Sequence, residues 1–198
     1  MRRLALMIGL ILAVEGSAFA QNQKTEFSAG WRYYHSEDTS YPKGWYADLA
    51  TDLTPSDVTP TFAVVGEVGG TYKSRDDSRT IGGVRYTGSA DFSLYTFMGG
   101  ARVRAASTNP RIVPFGQFLF GVARQKTSVD LSASGPGSGT LSFSDEDSNT
   151  DAALALDGGV DVDTGGSLRV RVAGGYFHVF GDSDSNAFRA SVGVVLPF

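Results

Sequence analysis

Between residues 151 and 163 apolar and polar positions take turns. Ala152, Leu154, Leu156, Val160 and Val162 share one parity, and Asp151, Ala153, Ala155, Asp157, Gly159, Asp161 and Asp163 the other. A two-residue period is that of a β-strand, whose successive side chains point to opposite faces. The stretch 186–198, NAFRASVGVVLPF, repeats it, with Phe188, Ala190, Val192, Val194, Leu196 and Phe198 opposed to Arg189, Ser191 and Gly193. An aromatic residue ending such a strand suits neither a fraying nor a solvated terminus, and fits a strand that closes a barrel in a membrane.

Six more runs show the same period, and helical periodicity is almost absent. Residues 25–34 set Phe27, Ala29, Trp31 and Tyr33 against Glu26, Ser28, Gly30 and Arg32. Residues 44–53 oppose Trp45, Ala47, Leu49 and Leu53 to Asp48 and Asp52; residues 61–72 oppose Phe62, Val64, Val68 and Tyr72 to Glu67 and Thr71. The run 91–104 is apolar on both faces, and putting Arg102 and Arg104 on the polar side turns Tyr95, Phe97 and Ala101 outward. Residues 112–126 set Phe118, Phe120 and Val122 against Gln117, Gly121 and Ala123; residues 168–180 alternate Leu168, Val170, Val172 and Tyr176 with Arg169 and Arg171. Turn signals separate them: a Pro-bounded segment at 54–60, Asn109-Pro110, and Thr164-Gly165-Gly166. Short turns alternate with longer polar connections, the longest spanning 127–150.

Met1-Arg2-Arg3, an apolar run from 4 to 14 and Ala18-Phe19-Ala20 form a secretory leader, so a cleaved signal peptide is expected over 1–20 and a single mature domain over 21–198. No other segment approaches the length of a membrane-spanning helix. Without the leader, Lys+Arg falls from 17 to 15 and Asp+Glu from 21 to 20, a net charge of about −5 that argues against a nucleic-acid partner. The chain has no cysteine, so disulfides cannot hold an exported fold together. Its 25 glycines, 12% aromatics and near-zero mean hydropathy suit a protein in which apolar and polar residues cancel by alternation.

These features predict an all-β fold, a closed antiparallel eight-stranded transmembrane β-barrel, with both termini on the short-turn side. The outward aromatics then fall at two levels: Phe27, Phe62 and Phe198 near that rim, and Tyr33, Trp45, Tyr72, Tyr176 and Phe188 near the other. Amphipathic rings collect at the two membrane interfaces in this way. Closure also satisfies every backbone polar group in lipid.

With its leader, its amphipathic strands, the glycine pairs Gly69-Gly70, Gly99-Gly100, Gly158-Gly159 and Gly174-Gly175, and the run from Val192 to Phe198, the mature chain resembles the small outer-membrane barrels of the OmpA/OmpX type. The resemblance implies localisation in the outer membrane, with its lipid as a partner. It also implies that the barrel-assembly machinery reads Val194, Leu196 and Phe198, and that the long loops meet an extracellular ligand.

The polar face carries Glu26, Arg32, Asp48, Asp52, Glu67, Arg102, Gln117, Asp157, Asp161, Arg169, Arg171 and Arg189. An eight-stranded barrel has just enough room inside for its own side chains. A plug of mutually neutralising charges is therefore preferred to a narrow small-solute pore, with Asp157, Asp161 and Glu26 as partners for Arg189. The acidic runs 145–149 and 182–186 start like calcium loops, but Thr150 and Ala187 replace the needed glycine, and Leu156 and Gly193 the final Glu. Both read as solvated loops, and the Gly/Ser-rich 132–140 as a mobile one. His178 raises a lipid-modifying enzyme, but Val179 and Phe180 follow it instead of the His-x-Ser-Asn of lipid A deacylases, so a rim histidine is preferred; His35 opens the first loop. The expected function is non-enzymatic, structural or surface-interacting, with no cofactor.

Overall fold

The computed structural model describes residues 24–36, 40–54, 58–82, 84–109, 111–135, 141–181 and 185–198. The expected leader at 1–20 lies outside them, as do residues 55–57 and 110 of two predicted turns, 136–140 of the Gly/Ser-rich stretch and 182–184 of the second acidic run.

The strands are β1 (Thr25–Ser36), β2 (Ser40–Asp52), β3 (Thr61–Ile81), β4 (Val84–Arg104), β5 (Ile112–Ser134), β6 (Leu141–Asp163), β7 (Arg169–Phe180) and β8 (Ser185–Pro197). Each pairs antiparallel with its neighbours in sequence, and β8 returns to β1 to close the barrel. The closing ladder runs from Glu26 opposite Pro197 to Ser36 opposite Ala187. Thr25 and Phe198 extend it with reciprocal backbone hydrogen bonds of 3.1 and 2.8 Å. Pro197 has no N–H to give, and its place at the last rung of the strand makes that loss small.

Alternation sorts the side chains. Phe27, Phe62, Val64, Phe97, Phe118, Phe120, Leu156, Val172, Val192, Val194 and Leu196 project outward and are exposed, while Ala63, Val65, Leu119, Ala153, Ala155 and Val195 are buried inside. A belt of exposed apolar side chains around a closed sheet would be an aggregation surface in water and is the natural exterior in lipid. In the fourth strand Phe97 and Ala101 face out and Arg102 and Arg104 in, as Arg placement predicts. The outer aromatics form contacts at the rim away from the termini. Trp31 stacks on Tyr33 at 6.0 Å, Tyr72 meets Tyr95 edge-on at 5.8 Å, and the Trp45 indole N–H donates to the Tyr72 hydroxyl at 3.3 Å.

Four strands are much longer than the periodicity predicts. Residues 73–90 and most of 127–150, expected as loops, continue β3, β4, β5 and β6 as two long hairpins, so the acidic run 145–149 is strand. The ladder passes from barrel to extension without a slip, from Thr61 opposite Arg104 to Ile81 opposite Val84, and from Ile112 opposite Val162 to Ala133 opposite Leu141. Polarity inverts on the way. Above Tyr72 and Tyr95 the outward parity carries Ser74, Asp76, Ser78, Ser89, Ser128, Ser132, Ser142 and Ser144, and the inward one Tyr86, Val129, Leu131 and Phe143. Beyond the lipid, the outside of the sheet faces water. The period of two survives, but the apolar face that announces a barrel strand does not.

The β1–β8 seam depends on two glycines facing each other, Gly30 and Gly193. A Cβ at Gly30 would lie 2.1 Å from the Val192 carbonyl oxygen, and one at Gly193 2.4 Å from the Tyr46 hydroxyl and 2.6 Å from the Ala29 carbonyl oxygen. Gly30→Val and Gly193→Val should therefore lower the urea midpoint of the refolded protein and reduce the compact, fast-migrating species on unheated gels. Gly66→Val, where a Cβ meets nothing within 4 Å, should leave both unchanged.

Candidate functional site

Two regions concentrate polar chemistry: the lumen and the four-stranded sheet that stands above it. Inside the barrel, inward parity brings side chains from all eight strands together, and the half nearer the termini is charged. Arg102 donates to Glu26 at 2.6 Å and to the Gln117 side-chain oxygen at 3.0 and 2.7 Å, and lies 3.3 Å from Asp48. Arg171 grips Asp161 with two bonds of 2.7 and 2.8 Å, and also reaches Glu26 at 2.8 Å and Ser28 at 3.2 Å. Arg104 joins Glu26, at 2.6 Å, to Asp52.

The next layer is built around Glu67. Arg32 binds it with two bonds of 2.6 and 2.7 Å, Arg189 approaches at 3.1 Å, and Arg189 also holds Asp157. Gln117 donates to Asp157 at 2.8 Å and so links the two layers. Of the three carboxylates expected for Arg189, Asp157 is its partner, together with Glu67, while Glu26 and Asp161 bind Arg171. The register explains this: Gly175 lies opposite both Asp157 and Arg189, setting those two level, whereas Asp161 stands two inward positions nearer the termini, opposite Arg171. Arg169 is partly exposed at the terminal rim, opposite Asp163, where it lines a cavity of about 310 Å³ with Lys24, Asp52 and Arg104.

Among the described residues, five buried arginines (32, 102, 104, 171 and 189) thus meet six buried carboxylates (26, 48, 52, 67, 157 and 161), leaving one formal negative charge. Aromatic rings take up faces of the guanidinium groups. Phe115 lies 5.2 Å from Arg102 and 4.8 Å from Arg171, and Tyr46 4.5 Å from Arg32. Phe115 fits only because position 159 is glycine, where a Cβ would come within 2.7 Å of its ring. Above the charges the lumen becomes apolar. Tyr34 and Phe177 pack edge-on at 5.1 Å, beneath a cavity of about 200 Å³ at the mouth that Leu94, Val179 and Ala187 also line. Sequence reasoning gave no role to Phe115, Tyr46 or Phe177; their inward parity was the available signal.

Val194, Leu196 and Phe198 all lie on the lipid face, Phe198 being 73% exposed. His178 also points outward, with Nδ1 2.8 Å from the Asn186 side-chain oxygen and the ring edge-on to Phe180 at 4.3 Å. His35 stacks on Tyr33 at 6.3 Å in the same aromatic band.

Removing one member of a buried ion network strands the others. Arg102→Met leaves Glu26 and Asp48 short of a partner and should cost about 3–5 kcal/mol, read as a lower urea midpoint in detergent. Adding Glu26→Gln to Arg102→Met should recover part of that loss.

No protein-family profile and no curated protein matches the chain. Solved structures do. Ail, the attachment invasion locus protein of Yersinia pestis, solved in complex with the heparin analogue sucrose octasulfate, superposes with a TM-score of 0.55 at 15% identity, over 90% of this chain and 100% of that one. Neisserial surface protein A gives a TM-score of 0.52 at 15% identity, over 91% of this chain and 100% of that one. Identities this low speak for fold, and the fold agrees with the lipid-facing belt, the closed ladder and the aromatic band described above. The chain shares the closed eight-stranded fold of these small outer-membrane β-barrels.

Proposed function

We propose that this barrel is a non-enzymatic surface protein that holds the β3–β6 sheet outside the cell for an extracellular partner to bind. The observation that carries this reading is the sheet itself, an extension of four strands continuous in register with the barrel wall and polar on its outward face. A barrel needed only for membrane integrity has no use for it. In this reading residues 1–20 are the cleaved export signal, 21–198 the mature domain, and the termini face the periplasm. Val194, Leu196 and Phe198, apolar at alternate positions on the lipid face, serve as the recognition strand for the assembly machinery.

The lumen acts as a plug. Its charged groups neutralise one another in two linked layers, and Tyr34 and Phe177 pack above them. A buried network of this kind gives the barrel a fixed register and rigid walls, which is what a platform for a protruding sheet requires. Ail, the attachment invasion locus protein solved in complex with a heparin analogue, is a precedent for ligand binding by this fold.

The reading is tested by trimming both hairpins, at the pairs Ser74–Asp91 and Ser128–Glu146, and closing each with a two-residue turn. The trimmed protein should keep its heat-modifiable gel shift, and bacteria producing it should lose the adhesion to host-cell and matrix-coated surfaces that the intact protein confers. Unchanged adhesion would sink the proposal. Planar bilayers should stay electrically silent with the intact protein, and discrete conductance steps would favour a pore.

A further inference from the structure

The β3–β6 extension has two faces of opposite character. Its outer face is polar, with hydroxyls, acids and the basic Arg85, Arg124 and Lys126. The inner face, continuous in parity with the lumen wall, carries Leu141 at 78% exposure, Phe143 at 61%, Ile81 at 56%, Leu131 at 51% and Tyr86 at 48%. Around Gly88, Tyr86, Leu131, Leu141 and Phe143 border a groove of about 470 Å³, which Arg79 and Asp77 flank. Leu131 leans over Gly88, where a Cβ would meet its Cδ2 at 3.0 Å. Single exposed apolar residues are ordinary, but a contiguous set on one face of a projecting sheet marks a binding surface.

Charge frames the patch. Along β3 the inward parity carries Arg75 and Arg79, with Asp77 between them; along β6 it carries Asp145 and Asp147. The apolar centre on β4 and β5 therefore has a basic flank on one side and an acidic flank on the other.

We propose that this inner face seats an amphipathic α-helix of a partner protein, with an apolar stripe against Tyr86, Leu131 and Phe143, acidic residues on the β3 side and basic residues on the β6 side. The inference rests on the surface-binding function proposed above and names its face and partner chemistry. A polypeptide lying on a sheet face finds no free backbone N–H or C=O there, so it must satisfy its own, which a helix does. Strand addition at the open edges is opposed by the charges they bear, Arg75, Asp76, Asp77 and Arg79 on β3 and Asp145, Glu146 and Asp147 on β6. A second copy is excluded by geometry: the face looks across the mouth of its own barrel, so two copies meeting face to face in one membrane would place their barrels in the same space. Flanks of opposite sign suit a polypeptide rather than an acyl chain with an anionic head. The apolar strip from Val84 to Phe92 spans eight residue steps, about 26 Å, the length of a helix of about 17 residues.

The test uses the full mature protein in lipid nanodiscs and fluorescein-labelled 17-residue helical peptides that share one leucine stripe. Their flanks are one acidic and one basic, both acidic, or both basic. Fluorescence anisotropy should show the two-signed peptide binding at least tenfold more tightly than either other. Arg75→Glu with Arg79→Glu should move the preference to the peptide with two basic flanks. Leu131→Ser with Phe143→Ser should abolish binding of every peptide while the gel shift shows the barrel folded. Equal binding of all three peptides, or binding unchanged by the serine pair, overturns the proposal. In the adhesion assay, loss on trimming the hairpins but not in the serine pair overturns the face assignment alone; no loss on trimming removes the surface-binding function with it.

Discussion

In the lipid-crossing part of this chain no water is available to satisfy a backbone N–H or C=O, and everything else follows from how that demand is met. The β1–β8 ladder, from Glu26 opposite Pro197 to Ser36 opposite Ala187, turns eight strands with two exposed edges into a ring with none. It does so without a disulfide, since the chain has no cysteine. The seam needs backbones in close approach, which is why glycines meet there. Once the ring is closed, the outward face can be wholly apolar, because its polar backbone is already paired.

Closure moves the problem of specificity inward. The outer belt is interchangeable grease and fixes little about register. The inner face cannot be slipped by one residue without throwing arginines and carboxylates into lipid. Glu26 is the hinge of that arrangement, since Arg102, Arg104 and Arg171 all converge on its carboxylate. Desolvating so many charges is tolerable only when they have partners, and here Phe115, Tyr46, Gln117 and Ser28 add contacts to the charge pairs.

The sequence displayed the strand number, the closing order and the outward parity, because all three live in local alternation that a bilayer enforces residue by residue. Pairing inside the lumen was less legible: Arg171 and Glu26 are 145 positions apart and meet only because the ring closes. Arg189 shows the limit, since inward parity alone cannot say whether Asp157 or Asp161 stands level with it. The hairpin extensions were misread for another reason. Above the membrane the apolar side turns inward and the outward side fills with serine, so Leu131 and Phe143 look like stray hydrophobics in a polar loop. Tracking the period without its sign would have found them.

The unbroken register between barrel wall and projecting sheet also has a mechanical meaning. A partner pulling on the sheet, as flowing liquid drags a cell from a surface, loads β3 to β6 along their length. The inter-strand hydrogen bonds then carry the force together in shear, with no hinge or bulge between sheet and membrane anchor at which to unzip one rung at a time. Tension on a partner bound there would pass along the strands to the ring held by the bilayer.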